Sequence, residues 1–196
     1  QDRVMKIKKS IAKKLGKHSG LTQYEEAYIE KWVNERLSSG ASQKVESEIQ
    51  VKNILSPDRV VFIDQASKHD ALVELAEVLA KAPQVKNESE LVSEILKREE
   101  LMSTAVGRGL AIPHVRLSSV TDLVMAVGVC KKPLEDFQTI DDQPVNLLFM
   151  IAAAYNQHAY YLKTISYFSG KLKGNELREA LLKAEDTRSV YNLLIS

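Results

Sequence analysis

The segment STAVGRGLAIPHVR, residues 103–116, concentrates side chains suited to handling a phosphoryl group. It contains the hydroxyl residues Ser103 and Thr104, two glycines and, directly after a proline, His114. An imidazole is nucleophilic near neutral pH, and one ring nitrogen can carry a phosphoryl group while a hydrogen bond holds the other. Phosphoryl transfer otherwise needs mainly donors around the phosphate oxygens. We therefore treat His114 as the candidate nucleophile and the two hydroxyls as candidate phosphate-binding groups.

Three arginines lie near this histidine in the sequence, and each suits a phosphate because a guanidinium binds phosphate oxygens in pairs. They are Arg98, Arg108 and Arg116. A nucleotide-binding Walker A loop is excluded, since no Gly-Lys-Ser or Gly-Lys-Thr follows the glycines. The four histidines of the chain show neither metal-ligand spacing nor clustered carboxylates, so neither a metal nor a cofactor is expected.

The residues around Pro113 predict how His114 is held. Proline fixes its own φ angle and pushes the preceding residue toward an extended conformation. We therefore expect LAI, residues 110–112, to form a strand and His114 to lie just beyond its end. Gly107 and Gly109 permit backbone conformations closed to other residues, so main-chain N–H groups near them are expected to approach an anion.

From about residue 47 the sequence alternates between strand-like and helix-like segments. Short apolar runs typical of buried strands are DRVVFI, GLAI, DLVMAVGVC and PVNLLFMIAAA. Segments with helical periodicity are KHDALVELAEVLAKA, NESELVSEILKREEL, YYLKTISYFSGKL, NELREALLKA and DTRSVYNLLI. Since strands occupy the middle and helices both ends, we predict an α/β fold with a sheet covered by helices on both faces.

Residues 1–46 have a different character, and we expect a helical hairpin extension there. Residues 3–17 carry seven basic side chains with apolar residues at helical spacing, the pattern of a basic amphipathic helix. Such a helix fits an anionic membrane surface, the cytoplasmic end of a transmembrane helix, or a solvated lysine face on a packing helix. The chain begins with Gln1 rather than methionine, so we expect a fragment of a longer protein, with membrane attachment through the missing part as one interpretation.

The overall composition disfavours several classes of protein. The chain has 27 basic and 26 acidic residues, so no strong net charge attracts nucleic acid. DNA binding through residues 1–46 is disfavoured because no recognition helix with base-reading side chains is evident. The single cysteine, Cys130, cannot form an internal disulfide, which indicates a reducing, cytoplasmic compartment, and its apolar neighbours predict a buried structural thiol. The sequence also lacks the run of about 18 apolar residues that a membrane span needs.

The segments REELMSTAVGRGLAIPHVR and IDDQPVNLLFMI together resemble a known family. This family is the enzyme IIA domains of the bacterial sugar phosphotransferase system, of the fructose/mannitol and nitrogen-regulatory type (type 2). The resemblance covers roughly residues 47–196, which we take as one domain, and it implies a mixed sheet flanked by helices. It also implies that His114 is the phosphoacceptor, that Arg98 contacts the phosphate, and that the donor is the phosphocarrier protein HPr or its nitrogen-branch homologue.

One position departs from the family pattern. The family usually has a second active-site histidine that opens a later helix in a His-Leu-x-x-Leu pattern, and Tyr161 falls on that position here. His158 lies three residues earlier, and it is either a substitute that reaches the same pocket or a surface residue. A tyrosine can donate a hydrogen bond to a phosphate but cannot become cationic. Slower, redirected and lost phosphoryl transfer are each compatible with this change.

Three functions remain open on this basis. In the first, phosphorylation at His114 lets the domain regulate an attached or partner membrane transporter. In the second, the domain passes the phosphoryl group to an enzyme IIB for sugar uptake. In the third, the domain is a sensor without phosphotransfer, because Tyr161 replaces the second histidine. We carry the first function forward.

Overall fold

The computed structural model describes residues 49–196. The basic amphipathic helix and the helical hairpin predicted for residues 1–46 lie outside the described residues. The helices are α1 (Val51–Ile54), α2 (Lys68–Ala80), α3 (Glu88–Leu101), α4 (His158–Lys171), α5 (Asn175–Lys183) and α6 (Thr187–Ile195). The strands are β1 (Val60–Ile63), β2 (Ala105–Gly107), β3 (Leu110–Ala111), β4 (His114–Leu117), β5 (Val124–Leu134) and β6 (Val145–Ala154). None of the helices in this part of the chain is long and apolar enough to cross a membrane.

The six strands of the described part form one mixed sheet. Their order is β1-β5-β6-β3-β2, and β4 also pairs with β6. β1 runs parallel to β5, β5 runs antiparallel to β6, and both β3 and β4 run parallel to β6. Because β6 is 10 residues long, it pairs first with β3 and then with β4. The mixed sheet implied by the resemblance is therefore confirmed.

Helices cover both faces of this sheet, as the sequence predicts. Side chains of a strand alternate between its faces, so neighbouring residues of β6 enter different apolar clusters. Leu148 and Met150 belong to the cluster that contains Leu75 of α2. Phe149 belongs to the opposite cluster, where its ring centroid lies 5.3 Å from that of Phe168 of α4. Burial on both faces explains why the strand sequences are continuous apolar runs rather than alternating ones.

Side-chain caps begin three of the described helices. Ser67 caps α2, Asn87 caps α3 and Asp186 caps α6, each by accepting a hydrogen bond from the main-chain N–H three residues ahead. The cap at Asn87 matters most for function, because it fixes the start of the helix whose last turn carries Arg98. The helix predicted for this segment is confirmed to within one residue.

A tight turn joins β2 to β3. Arg108 and Gly109 have positive φ angles of 58° and 73°, as a two-residue hairpin turn of this kind requires. A Cβ atom added at Gly109 would lie only 2.7 Å from Asn146 Oδ1, so a side chain here would have to displace the Asn146 amide in addition to adopting a positive φ. The Arg108 main-chain N–H donates to Asp141 Oδ2 at 2.6 Å. The sequence predicted that main-chain N–H groups near these glycines approach an anion. The N–H of Arg108 instead binds a carboxylate of the same chain.

The strands β2 and β4 were not predicted from the sequence. Each is short, and neither has the apolar run that marks β5 and β6. Their hydrogen bonds go to β3 and β6, and β6 lies far along the chain from β4. The pairing of β4 therefore depends on tertiary contacts that the local residue pattern does not reveal.

Candidate functional site

His114 is the first residue of β4, where it lies opposite Ile151 of β6. The main-chain N–H of Ile151 donates to the carbonyl oxygen of Pro113 at 2.9 Å. Pro113 has no N–H of its own, but its carbonyl continues the pairing with β6 across the break between β3 and β4. The sequence placed His114 just beyond a strand end. The structure instead places it at the start of a second strand, because β6 extends far enough to pair with both.

The hydrogen bonds of the His114 ring distinguish its two nitrogens. Nδ1 lies 2.6 Å from the carbonyl oxygen of Ile112, and Nε2 lies 3.4 Å from Nη2 of Arg98. A carbonyl oxygen only accepts hydrogen bonds, so Nδ1 must carry the proton that is shared with it. The lone pair of the neutral ring is then on Nε2. This assignment makes Nε2 the nucleophilic atom of the site.

The surroundings of His114 keep its ring uncharged at neutral pH. Burial, and to a smaller extent the positive charge of Arg98, lower the pKa of the imidazole to about 4. The hydrogen bond to the Ile112 carbonyl opposes this change, but it is the smallest of the three causes. An unprotonated Nε2 is therefore available throughout the neutral pH range, as a nucleophile requires.

Arg98 is the phosphate-binding candidate that the structure brings directly to His114. Its Nη1 donates to the carbonyl oxygen of Met102 at 2.8 Å, which holds the guanidinium across the end of α3. Its Nη2 approaches the imidazole Nε2 from the last turn of that helix. A guanidinium has five N–H donors in a rigid plane, so donors remain for phosphate oxygens after the bond to Met102.

The two hydroxyl candidates have different partners. Ser103 Oγ accepts a hydrogen bond from the main-chain N–H of Ala105 at 3.3 Å, a contact that does not use the hydroxyl proton. Thr104 is buried, and both of its donors bind Glu99 Oε2, with N at 2.9 Å and Oγ1 at 2.6 Å. A direct phosphate contact by Ser103 or Thr104 stays a prediction.

Aromatic rings enclose the other side of the imidazole. Tyr161 on the first turn of α4 is buried, and its ring centroid lies 5.6 Å from that of His114 in an edge-on arrangement. The guanidinium carbon of Arg116 lies 5.6 Å from the Tyr161 centroid and 5.6 Å from the Tyr155 centroid. His158 is the partly buried first residue of α4. Tyr161, which the resemblance aligns with a second histidine, is thus the residue whose ring lies against that of His114.

The other two arginines near His114 in the sequence donate hydrogen bonds to main-chain carbonyl oxygens. The Arg108 guanidinium donates to the carbonyl oxygen of Lys173, beyond the end of α4. Arg116 Nη1 donates to the carbonyl oxygen of Tyr155 at 3.2 Å. The site therefore takes its directly contacting guanidinium from Arg98. Within residues 49–196, no group of three His, Cys, Asp or Glu side chains has the arrangement of a metal site.

Glu99 is part of this cluster, and sequence reasoning missed it. A charged residue on a helix is normally solvated, so no feature of the sequence indicated that Glu99 lies inside the protein. Its side chain is nevertheless buried, with only 4% of the residue exposed. The available signal was its position, directly after Arg98 and five residues before Thr104, which follows the end of the same helix. A carboxylate there can bind the N–H groups of the chain as it leaves the helix.

Comparison with known proteins decides the family. The sequence model described as Phosphoenolpyruvate-dependent sugar phosphotransferase system, EIIA 2, matches residues 53–196. The chain belongs to this EIIA 2 family. The resemblance drawn from the two sequence segments is thereby confirmed, and it extends over nearly all of the described residues.

Named relatives of this EIIA 2 chain include regulatory and sugar-transport proteins. The nitrogen regulatory protein of Bradyrhizobium diazoefficiens is 31% identical over 147 residues, which are 74% of this chain and 94% of that protein. The fructose-specific EIIABC component of the phosphotransferase system of Bacillus subtilis is 33% identical over 132 residues. That alignment covers 67% of this chain but only 21% of the larger protein. The EIIA 2 chain thus corresponds to one portion of the fructose protein.

Solved structures agree with the fold. The nitrogen regulatory protein IIA-Ntr from Neisseria meningitidis has a TM-score of 0.68 and 26% identity, covering 74% of this chain and 98% of that chain. IIA mannitol from Escherichia coli has a TM-score of 0.61 at 24% identity, covering 71% of this chain and 98% of that chain. The second likeness supports the EIIA 2 fold alone.

Proposed function

We propose that this EIIA 2 domain accepts a phosphoryl group on Nε2 of His114 from an HPr-like phosphocarrier protein. The observation that carries the proposal is the pair of contacts at the ring. The Ile112 carbonyl oxygen accepts a hydrogen bond from Nδ1–H at 2.6 Å, and Arg98 Nη2 lies 3.4 Å from Nε2, which carries the lone pair. A nucleophile and a cationic oxyanion-binding group are thus held side by side.

The transfer step is written between two imidazoles. The Nε2 lone pair attacks the phosphorus of a phosphohistidine on the donor protein, and the Nε2–P bond forms as the donor's N–P bond breaks. The donor ring keeps the electrons of that bond and leaves as a neutral imidazole, still protonated on its other nitrogen. His114 keeps its Nδ1 proton, so the phosphorylated ring is cationic and faces the Ile112 carbonyl oxygen. No proton moves between the two proteins.

The remaining polar groups of the site bind the phosphoryl oxygens in this proposal. Arg98 supplies paired N–H donors and positive charge, and Ser103 supplies a hydroxyl group, whereas the hydroxyl proton of Thr104 is held by Glu99. Tyr161 encloses the ring and adds no positive charge. The cationic share of phosphate binding therefore falls on Arg98 more heavily than in a site with a second histidine.

We further propose that the domain acts in the cytoplasm, where phosphorylation of His114 regulates a membrane transporter that is either attached to the domain or a separate partner. Three features support a regulatory role over use in a closed sugar-uptake chain. The alignment with a nitrogen regulatory protein covers 94% of that protein. The basic residues at 3–17 suit an anionic membrane surface. Cys130 is buried in β5, as predicted, and burial raises its pKa to about 12, so this thiol is a poor onward acceptor.

Transfer to an enzyme IIB is the second candidate. It is supported by the fructose-specific EIIABC relative and by a similar solved structure, the complex of enzyme IIAMTL with phosphorylated enzyme IIBMTL from Escherichia coli. A sensor without phosphotransfer is the third candidate, and it follows only from the tyrosine at position 161.

Phosphorylation in a reconstituted system separates these candidates. The chain is incubated with phosphoenolpyruvate, enzyme I and HPr, and acid-labile phosphate is measured. Label is expected on the wild-type chain and on the exposed-histidine control His69→Ala, but not on His114→Ala. An unlabelled wild-type chain would leave the sensor function, and passage of the label to an added enzyme IIB would favour the carrier function.

The membrane part of the proposal has its own test. The full chain is expected to co-sediment with vesicles that contain phosphatidylserine and to stay in solution with pure phosphatidylcholine vesicles, because binding depends on anionic headgroups. Raising the salt concentration should release the chain. Equal binding to the two kinds of vesicle would overturn this assignment of residues 3–17.

A further inference from the structure

A continuous path of hydrogen bonds connects a buried carboxylate to the His114 ring. Glu99 Oε2 accepts from Thr104 N at 2.9 Å and from Thr104 Oγ1 at 2.6 Å. The carbonyl oxygen of Thr104 accepts from the main-chain N–H of Ile112 at 3.0 Å. The carbonyl oxygen of Ile112 accepts from Nδ1 of His114 at 2.6 Å. Only Thr104 and Ile112 lie between Glu99 and the imidazole.

The same helix turn also holds the other polar group of the site. Glu99 directly follows Arg98 in α3, and Arg98 contacts both the Met102 carbonyl and Nε2 of His114. The segment between α3 and β2 is therefore tied twice, by Arg98 at Met102 and by Glu99 at Thr104. This turn of α3 therefore reaches the imidazole in two ways: Arg98 contacts Nε2 directly, and Glu99 is connected to Nδ1 through the path described above.

Glu99 is a buried carboxylate whose charge has specific partners inside the protein. A carboxylate without water around it is costly unless its oxygens are hydrogen-bonded and its charge is balanced. Here Oε2 takes both donors of Thr104, while the buried Oε1 accepts no hydrogen bond and has Lys68 Nζ at 3.9 Å as its ion-pair partner. With 4% of its surface exposed, Glu99 offers no face to a docking protein.

We propose that Glu99 is a positioning residue for phosphoryl acceptance, acting through Thr104 and Ile112 to hold the His114 ring with its lone pair on Nε2. The effect is one of position. The N–H and the C=O of Thr104 belong to different peptide groups, as do those of Ile112, so electronic polarisation does not pass directly along the path. Glu99 instead fixes the position of Thr104 and thereby that of the Ile112 carbonyl, and this carbonyl selects the ring tautomer. The catalytic consequence rests on the proposed function.

The test uses the full chain and four substitutions. Glu99→Gln removes the charge at constant size, and Thr104→Val removes the hydroxyl. Thr104→Ser keeps the hydroxyl, and Glu100→Gln makes the same change as Glu99→Gln at the adjacent, exposed glutamate. Two quantities are measured: the rate of phosphoryl acceptance from phosphorylated HPr over a range of donor concentrations, and the ¹⁵N chemical shifts of the unphosphorylated His114 ring.

Glu99→Gln and Thr104→Val are expected to lower the rate at saturating donor about tenfold or more, as a small misplacement of a reacting group does. The KM for phosphorylated HPr should not change, because neither side chain lies on the docking surface. In both variants the ¹⁵N shifts should show a new population protonated on Nε2. Thr104→Ser should recover most of the rate lost in Thr104→Val, and Glu100→Gln should behave as the wild type.

Wild-type ¹⁵N shifts in folded Glu99→Gln and Thr104→Val proteins would overturn the proposal, whatever their rates, because a lost phosphate contact leaves the free ring unaltered. A raised KM with an unchanged saturating rate would overturn it as well. If Glu99→Gln does not fold, the Thr104→Val and Thr104→Ser pair decides the question with the carboxylate intact. If the wild-type chain accepts no phosphate, the proposed function fails, while the ring shifts still test the placement of His114.

Discussion

The His114 ring has directed polar contacts on one side and an aromatic side chain on the other. On one side, Arg98 and the Ile112 carbonyl make directed polar contacts at 3.4 Å and 2.6 Å. On the other side, Tyr161 presents an aromatic ring at 5.6 Å, with Arg116 stacked on it. The polar side decides which nitrogen carries the proton. The aromatic side excludes water, and burial is the largest cause of the lowered pKa.

The nucleophilicity of the His114 ring and its enclosure by the protein therefore depend on different residues. Changes on the polar side should alter phosphoryl transfer more than stability. Changes on the aromatic side should alter the pKa of His114 and the stability of the fold more than the chemical step.

Arg98→Gln should have the largest effect on transfer. We expect the acceptance rate to fall about a hundredfold or more, because a donor aimed at developing negative charge is lost. The pKa of His114 should rise at the same time, since a neighbouring positive charge that lowers it is removed. Single-turnover kinetics measure the rate, with the exposed neighbour Lys97→Gln as the control. Equal rates for the two variants would contradict the account of the polar side.

Tyr161→Ala should have the largest effect on stability. Removing this buried ring is expected to lower the free energy of unfolding by about 3 to 4 kcal/mol, as for other large-to-small core changes. Water would then reach the imidazole, so the pKa of His114 should move up toward its ordinary value. Chemical denaturation and an NMR pH titration of His114 measure the two effects.

Tyr155→Ala is the matched control for this change. Tyr155 also stacks on Arg116 at 5.6 Å, but it is 65% exposed. It should leave the pKa of His114 and the stability nearly unchanged. If the two alanine variants lose the same stability, the aromatic side does not enclose His114 in the way that the structure indicates.

Acid should destabilise the fold through His114. Its pKa is about 4 in the folded chain and 6.5 in the unfolded chain, so the unfolded chain binds more protons between these values. Stability from this residue is complete above pH 6.5 and is lost as the pH falls toward 4, by up to about 3 kcal/mol. The measurement is the free energy of unfolding against pH for the wild type and His114→Gln. Parallel curves for the two proteins in this window would contradict the prediction.

Ser103→Ala should have the smallest effect. A neutral hydrogen bond to a phosphate oxygen contributes about 1 kcal/mol, so the acceptance rate should fall about fivefold. Ser118→Ala, an exposed serine just after β4, is the control and should not change the rate. An unchanged rate in Ser103→Ala would remove this residue from the phosphate-binding set.

Much of the fold was predictable from local patterns, and the reasons are physical. Continuous apolar runs indicated β5 and β6 because both faces of these strands are buried. Helical periodicity indicated α3, and the structure adds the Asn87 cap at its start. By contrast, β4 has a short mixed sequence, and only its pairing with β6 makes it a strand. Long-range pairing of this kind leaves no trace in a window of a few residues.

The candidate site also contains residues that the sequence indicated and residues that only the structure shows. Residue chemistry indicated His114 and Arg98, and the structure brings these two together. The sequence did not indicate Glu99, because a glutamate on a charged helix is normally solvated and only the fold shows it buried. The structure also assigns both donors of Thr104 to Glu99, a partner that residue type alone could not identify.

The most direct test of the account is the position of phosphorus on the His114 ring. The ¹⁵N-labelled chain is phosphorylated through HPr, and coupling between ³¹P and the ring nitrogens is measured by NMR. The account predicts coupling to Nε2 of His114, with Nδ1 still protonated against the Ile112 carbonyl. Coupling to Nδ1, or phosphorus on any other residue, would contradict it.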